Sequence, residues 1–390
     1  MASKIAKFEV IPIAAPDAIA DDLDGTTDTV IVRLTDEDGR TGIGETDAPP
    51  HVVKAFLEMP TAHLWSRNAG EILIGADPIE ATGIWQKLYD GTFWPGRRGL
   101  GIHAISAIDI ALYDLAGKQH DVPAYKLMGG ARRERVRPYC TIFPGMPHGR
   151  SIEELMKEIG RQFEAAIDNG FRAVKMEVLF DDLVTDRELV ALIGRGRKML
   201  GDGIQMALDF GYRWHNWHDA LWVLDRVEDC DILFAEATLQ HDDLDGHAEL
   251  ATRSPIRIGG AEAAATRFEI REWLTRGRVG VVQPNIGRGG GLTEIRRIAD
   301  LCELMGAEVV PHGWKTGITS ACGRHFHAAC MPSPVFEYVS PKVFDSLLRR
   351  ELVSPEPEVK DGYMALPDRP GLGIDLNEEL VQRLRIDRKS

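Results

Sequence analysis

The chain has 390 residues, of which 44% are hydrophobic and 27% charged, with a formal net charge of −14. That length exceeds one simple core and fits two or three structural units, one of them large enough for an α/β barrel. The acidic balance argues against a nucleic-acid partner, because phosphate backbones call for a basic surface. A local cationic cluster or a bound metal still permits a small anion. The five cysteines include no CxxC pair, which reads as reduced, buried thiols in a cytoplasmic protein. The N-terminal MASKIAKFEVIPIA soon meets Asp17, Asp21 and Asp22 and has no signal-peptide core. No stretch reads as a membrane helix.

In chain order, residues 4–13 and 29–45 read as strands, the second as a hairpin turning at Glu37-Asp38-Gly39. Residues 51–120 read as helices, most clearly in HAISAIDIALYDLAGK, where Ile105, Ile108, Leu112 and Leu115 fall at helical spacing. From about residue 134, short apolar runs alternate with amphipathic stretches. The runs are RVRPYC (135–140), AVKMEV (173–178), IQMALDF (204–210), ILFAE (232–236), IRIGGAE (256–262), GVVQPN (280–285), EVVPH (308–312) and VFEYV (335–339). Eight such runs with helices between them predict a (β/α) barrel. The Pro/Gly-rich tail, 350–390, adds no barrel unit and is expected to pack back on the N-terminal part.

Polar residues end these runs. Residues two apart on a strand share a face, so Lys175 and Glu177 stand side by side on the second run. Asp209, Glu236, Glu262, Asn285 and His312 follow on runs three to seven, and Glu337 lies on the eighth. One charged strand end is unremarkable, but a succession at one register predicts a site at the carboxyl ends of the strands. Asp209, Glu236 and Glu262 are one βα unit apart and offer three hard oxygens, which suits Mg²⁺. Lys175 beside them is an ion-pair partner, a contact for a substrate carboxylate or a tuned base.

Other signals read more plainly. His215 and His218, and His325 and His327, have zinc-like spacings, but the second pair falls on a helix where residues two apart diverge. NIGRGGG (285–291) reads as a tight turn before a helix rather than an anion site. Trp94, Arg97 and Arg98 read as a packing loop, and Asp242 or Asp243 as a helix cap.

Together these residues resemble the enolase superfamily and its mandelate-racemase-like branch, over nearly the whole chain. SAIDIALYDLAGKQHDVPAYKLMGG is similar to that family's capping-domain hallmark. The acids in LDF, FAEATLQHDD and GGAEAAATRFE resemble its metal ligands, VVQPNIGRGGGLTE its sixth-strand motif, and VVPHGWKTGITSA its catalytic-histidine region in acid-sugar dehydratases. GYMALPDRPGLGIDL resembles its C-terminal segment. The resemblance implies a modified TIM barrel, (β/α)7β, at 134–345. An α+β capping domain at 1–133 is completed by 346–390. One Mg²⁺ is implied, held by Asp209, Glu236 and Glu262, with a small carboxylate substrate and a homo-oligomer, dimer or octamer. The family's shared step is removal of an α-proton to give a metal-stabilised enediolate.

Two positions depart from the family's pattern. Glu177 stands where a second lysine is usual, and Asn285 where an aspartate usually pairs with the histidine. His312 keeps the main acid/base role, alone or with Lys175 or Glu177 as base. Glu337, if protonated, would donate to the enediolate. Lys315, Arg213 and Trp214 are candidate substrate contacts, and loops at 15–27 and 46–60 are expected to set specificity. The leading expectation is dehydration of a sugar acid or similar polyhydroxy carboxylate to a 2-keto-3-deoxy acid. A racemase, epimerase or cycloisomerase on the same scaffold is the alternative, and a silent metal- and acid-binding relative is the third reading.

Overall fold

The computed structural model describes residues 3–16, 26–180 and 183–387. The specificity loop expected at 15–27 therefore lies largely outside the described residues. The chain opens with an antiparallel sheet of β1 (Ile5–Ala14), β2 (Asp28–Asp36) and β3 (Thr41–Thr46). The β2–β3 turn falls where the sequence predicts, with Gly39 at φ 84° and the Asp36 carboxylate accepting the Asp38 and Arg40 amides.

Helix α1 (Leu100–Gln119) lies across this sheet. The approach is close: a Cβ on Gly44 would stand 2.1 Å from the Ala107 carbonyl, and one on Gly42 2.4 Å from that of Ala111. Only glycine allows that packing. Among the described residues α1 is the one helix long and apolar enough to cross a membrane, against the sequence expectation that no stretch is. Its apolar window is 89% buried in this fold, and a helix covered on all sides needs no polar face.

Eight short parallel strands follow, β4 (Pro138–Ile142), β5 (Ala173–Glu177), β6 (Gln205–Asp209), β7 (Ile232–Glu236), β8 (Gly259–Gly260), β9 (Val281–Val282), β10 (Glu308–Val309) and β11 (Phe336–Tyr338). Seven helices, from Ile152–Asp168 to Gly317–Ala329, alternate with them. The order β11-β4-β5-β6-β7 is one parallel sheet and β8-β9-β10 another. A parallel bridge, Ala235 to Ile258, joins the two. At the remaining seam the Val309 amide donates to the Pro332 carbonyl (2.8 Å) and the Gly313 amide to Glu337 Oε2 (2.6 Å). This is the modified TIM barrel with an α+β cap that the sequence predicts. β8, β9 and β10 are shorter than the apolar runs suggest, because the chain leaves the ladder early. Ala261 already has φ 79°.

The tail returns to the cap. The Leu372 amide donates to Asp114 Oδ1 (2.8 Å) while the Ile43 amide donates to Oδ2 (2.9 Å), so one buried carboxylate of α1 ties tail and sheet together. The Gly-rich turn and the helix it opens, Gly291–Met305, bind the cap in the same way: Gly290 N–H donates to Ser106 Oγ (2.9 Å) and Thr293 N–H to Asp109 Oδ2 (2.8 Å). A cap carboxylate thus sits at that helix N-terminus. The HxH pair diverges as expected, with His325 accepting the Tyr125 amide and His327 beside Arg133 and Ser333.

Candidate active site

A layer of Tyr139, Ala173, Ala207, Phe234, Val281, Val310 and Val335 plugs the barrel. Strand side chains repeat every second residue. The next inward positions are therefore Thr141, Lys175, Asp209, Glu236, Gln283, His312 and Glu337. The switch from apolar to polar happens at one level on seven strands. Above it opens a cavity of about 430 Å³, walled by Lys175, Glu177, Asp209, Glu262 and His312 among others.

Lys175 is 1% exposed and sits among three carboxylates: Glu236 Oε2 at 2.9 Å, Glu337 Oε1 at 2.9 Å and Asp209 Oδ2 at 3.3 Å. Burial works against its charge, but Glu236 and Glu337 win and hold its pKa well above the ordinary lysine value. In this arrangement Lys175 is an ion-pair partner. Burial raises the carboxyls of Glu236 and Asp209, since one ammonium cannot satisfy three neighbours. Glu337 receives the larger share. Despite burial it is held at about 2 by Lys175, with Thr141 Oγ1 (2.5 Å) and the Gly313 amide donating to it. The expectation that a protonated Glu337 donates to substrate does not fit this setting, in which all its bonds are accepted.

Also lining the cavity, Glu262 Oε1 accepts from the Tyr212 hydroxyl (2.6 Å), and its Oε2 lies 3.0 Å from His312 Nε2. His312 Nδ1 meets Asn285 Nδ2 at 2.9 Å, and Asn285 Oδ1 accepts the Gly287 amide at 2.7 Å. The backbone beside the three acids is strained: Tyr212 (φ 63°), Ala237 (φ 48°) and Ala261 (φ 79°) are non-glycine residues in the left-handed region. Such outliers concentrate at functional sites.

Among the described residues, no three His, Cys, Asp or Glu side chains already converge as a metal cage. Their oxygens are turned instead to Lys175, Tyr212 and His312. The donor set nonetheless fits a hard divalent cation. Asp209, Glu236 and Glu262 are oxygen donors at one end of one barrel, and buried Glu236 Oε1 has no hydrogen-bond partner.

Three residues expected as substrate contacts make other bonds among the described residues. Arg213 donates to Asp186 Oδ1 (2.9 Å) and the Val184 carbonyl (2.8 Å), and the Trp214 indole donates to Asp186 Oδ2 (3.1 Å). Lys315 is buried 3.4 Å from Asp28 of β2. None of the three is among the residues that wall the cavity. The left-handed turn at Gly211 and Tyr212 swings the chain, and Tyr212 takes the wall position. Tyr212 and Arg288 were missed by sequence reasoning. Arg288 reaches the cavity from the turn after β9 and pairs with Asp47 at 2.6 Å, just beyond β3. Its only sequence signal was the NIGRGGG turn.

With this geometry in place, the chain can be set beside known proteins. Residues 3–129 match the mandelate racemase / muconate lactonizing enzyme N-terminal domain, and residues 158–380 match the enolase C-terminal domain-like family. The chain is 31% identical to D-galactarolactone cycloisomerase of Agrobacterium fabrum, over 92% of this chain and 91% of that one. It is 30% identical to arabinonate dehydratase of Saccharolobus solfataricus, over 91% and 90%. A crystal structure provisionally described as a racemase is 43% identical, with TM-score 0.93 over 98% of each chain. A racemase from Streptomyces coelicolor A3(2), solved with bound magnesium, is 25% identical, with TM-score 0.82 over 98% and 100%. The chain belongs to the mandelate racemase / muconate lactonizing enzyme family of the enolase superfamily, whose members bind Mg²⁺.

Proposed function

We propose that this enzyme is a Mg²⁺-dependent hydro-lyase that dehydrates a sugar acid or similar polyhydroxy carboxylate to a 2-keto-3-deoxy acid. The observation that carries the reading is the single polar level of the barrel, where a cation and three carboxylates face an imidazole across a cavity large enough for such an acid. Arabinonate dehydratase, one of the dehydratases among the relatives, supports it. Asp209, Glu236 and Glu262 would hold the metal, which when bound supplies positive charge to the substrate carboxylate and to the charge that develops on proton loss. The chain's own groups do the rest. Lys175 and Glu177 stand on one wall and His312 on the other, so a substrate between them meets proton-carrying groups on two faces. Removal of the α-proton and departure of the β-hydroxyl as water leave an enol that tautomerises to the keto acid. The division at 1–133, 134–345 and 346–390 gives the cap one task, closing the mouth. Asp47 and Asp28 reach the turns after β9 and β10.

A second reading, cycloisomerisation or racemisation, draws on the cycloisomerase relative and on the same two-walled geometry. A panel of acid sugars with Mg²⁺, assayed for 2-keto acids with semicarbazide, separates the two. Keto product from one or a few diastereomers, lost in His312→Asn, is the expected result. Solvent deuterium entering the α-position with no keto product would replace dehydration by the second reading.

A further inference from the structure

We infer that Asn285 fixes the His312 ring with Nδ1 bare and its proton on Nε2, so that the ring is a hydrogen-bond donor to an anionic oxygen and not the base that opens the reaction. The use of the ring rests on the reaction proposed above; the tautomer does not.

The chain of bonds has one consistent direction. The Gly287 amide can only donate, so the Asn285 atom 2.7 Å from it is the amide oxygen. The group 2.9 Å from His312 Nδ1 is then the NH₂, which also can only donate. Nδ1 must therefore present its lone pair. On the ring's other side Nε2 faces an acceptor, Glu262 Oε2, at 3.0 Å, with Glu337 Oε2 at 4.0 Å. Asn285 is what opposes a proton on Nδ1. Asn285 is 2% exposed. Rotating its amide would leave the buried Gly287 amide facing a second donor, a loss that corresponds to a roughly ten- to hundredfold preference for the orientation described. An aspartate here would accept from Nδ1–H and leave Nε2 free to take a proton. Asn285 reverses that polarity. Glu262 Oε2 marks where a substrate oxygen would accept from Nε2–H, the way neutral imidazoles polarise oxygens in other sites.

The test reads the ring directly. Mg²⁺-loaded enzyme with ¹⁵N-labelled histidine is examined by long-range ¹H–¹⁵N correlation, and His312 is identified by the signal missing in His312→Asn. A proton-bearing Nε2 and a bare Nδ1 are expected, with the proton moving to Nδ1 in Asn285→Asp. Wild-type enzyme with a proton on Nδ1, alone or together with Nε2, would overturn the inference whether or not the variant folds. So would an Asn285→Asp protein with an unchanged ring. No substrate is needed. The expected ring with no keto acid from any sugar would refute the dehydratase and leave the tautomer standing.

Discussion

Lys175 and His312 face one cavity from differently built halves of the barrel. The Lys175 side is a continuous sheet of five strands, each three to five residues long, paired as far as Glu177 with Asp209 and, after one register shift between Met206 and Leu208, Asp209 with Glu236. There the strand period and the Lys175 charge cluster aim the side chains. The His312 side has three strands of two residues each, and Glu262, Asn285 and His312 all lie beyond them. A parallel bridge still joins Asn285 to His312, but side-chain hydrogen bonds and the cap add to it here, through Thr46 Oγ1 to the Gly287 carbonyl (2.8 Å) and Asp47 to Arg288. One half is placed by backbone regularity and a buried charge cluster, the other by a network that reaches across two domains. Damage to the two should differ in size and kind.

The largest effect is expected on the sheet side. Lys175→Met removes the ammonium shared by three buried carboxylates and leaves their charges uncompensated. A loss of about 3–5 kcal/mol in unfolding free energy is expected in urea titrations without metal. Millimolar Mg²⁺ should restore part of it, since a cation that binds only the folded state stabilises it. A loss under about 1 kcal/mol would mean that the cluster does not organise this half.

On the network side the expected effect is smaller and depends on pH. Burial would raise the Asp47 carboxyl, but Arg288 outweighs it and holds it at about 2 against an ordinary 3.8. A depressed carboxyl contributes stability that is present above pH 3.8 and lost as pH falls through 2. At about 1.4 kcal/mol per pKa unit this is about 2 kcal/mol. Asp47→Asn should be less stable by about that amount at neutral pH, with the gap closing between pH 4 and 2. A gap that does not change with pH would show that the ion pair is not what joins cap to barrel.

The same contrast explains what could be read beforehand. Eight runs ending in polar residues were legible because a period of two is local. Ala173, Lys175 and Glu177 announce their shared face in five letters. Arg288 and Asp47 lie 241 positions apart, and nothing near either signals the other. Arg213 and Trp214, expected at the substrate, bond Asp186 here, beyond a Tyr212 at φ 63°, a conformation that a non-glycine residue gives no local reason to expect. Arg213→Ala should therefore cost about 1–2 kcal/mol through its lost bonds to Asp186 and Val184, and leave KM for the acid unchanged. A raised KM would return Arg213 to the substrate.

The finest probe is Tyr212→Phe. It deletes one hydroxyl and leaves the strained backbone and the ring in place. That hydroxyl donates to Glu262 Oε1 at 2.6 Å, so it holds one of the three acids that sequence spacing alone had grouped. If those acids bind Mg²⁺, the hydroxyl orients a ligand from outside the metal's own shell, and such partners are worth roughly ten- to hundredfold in metal affinity. Stability without metal should change by less than about 1 kcal/mol, because Glu262 keeps His312 beside it. Calorimetric titration with Mg²⁺ reads this directly. Weaker binding with stability intact would make Tyr212 part of the metal site's support. Unchanged affinity would remove Glu262 from the ligand set and leave the cation to the Lys175 side, where Glu236 Oε1 waits without a partner.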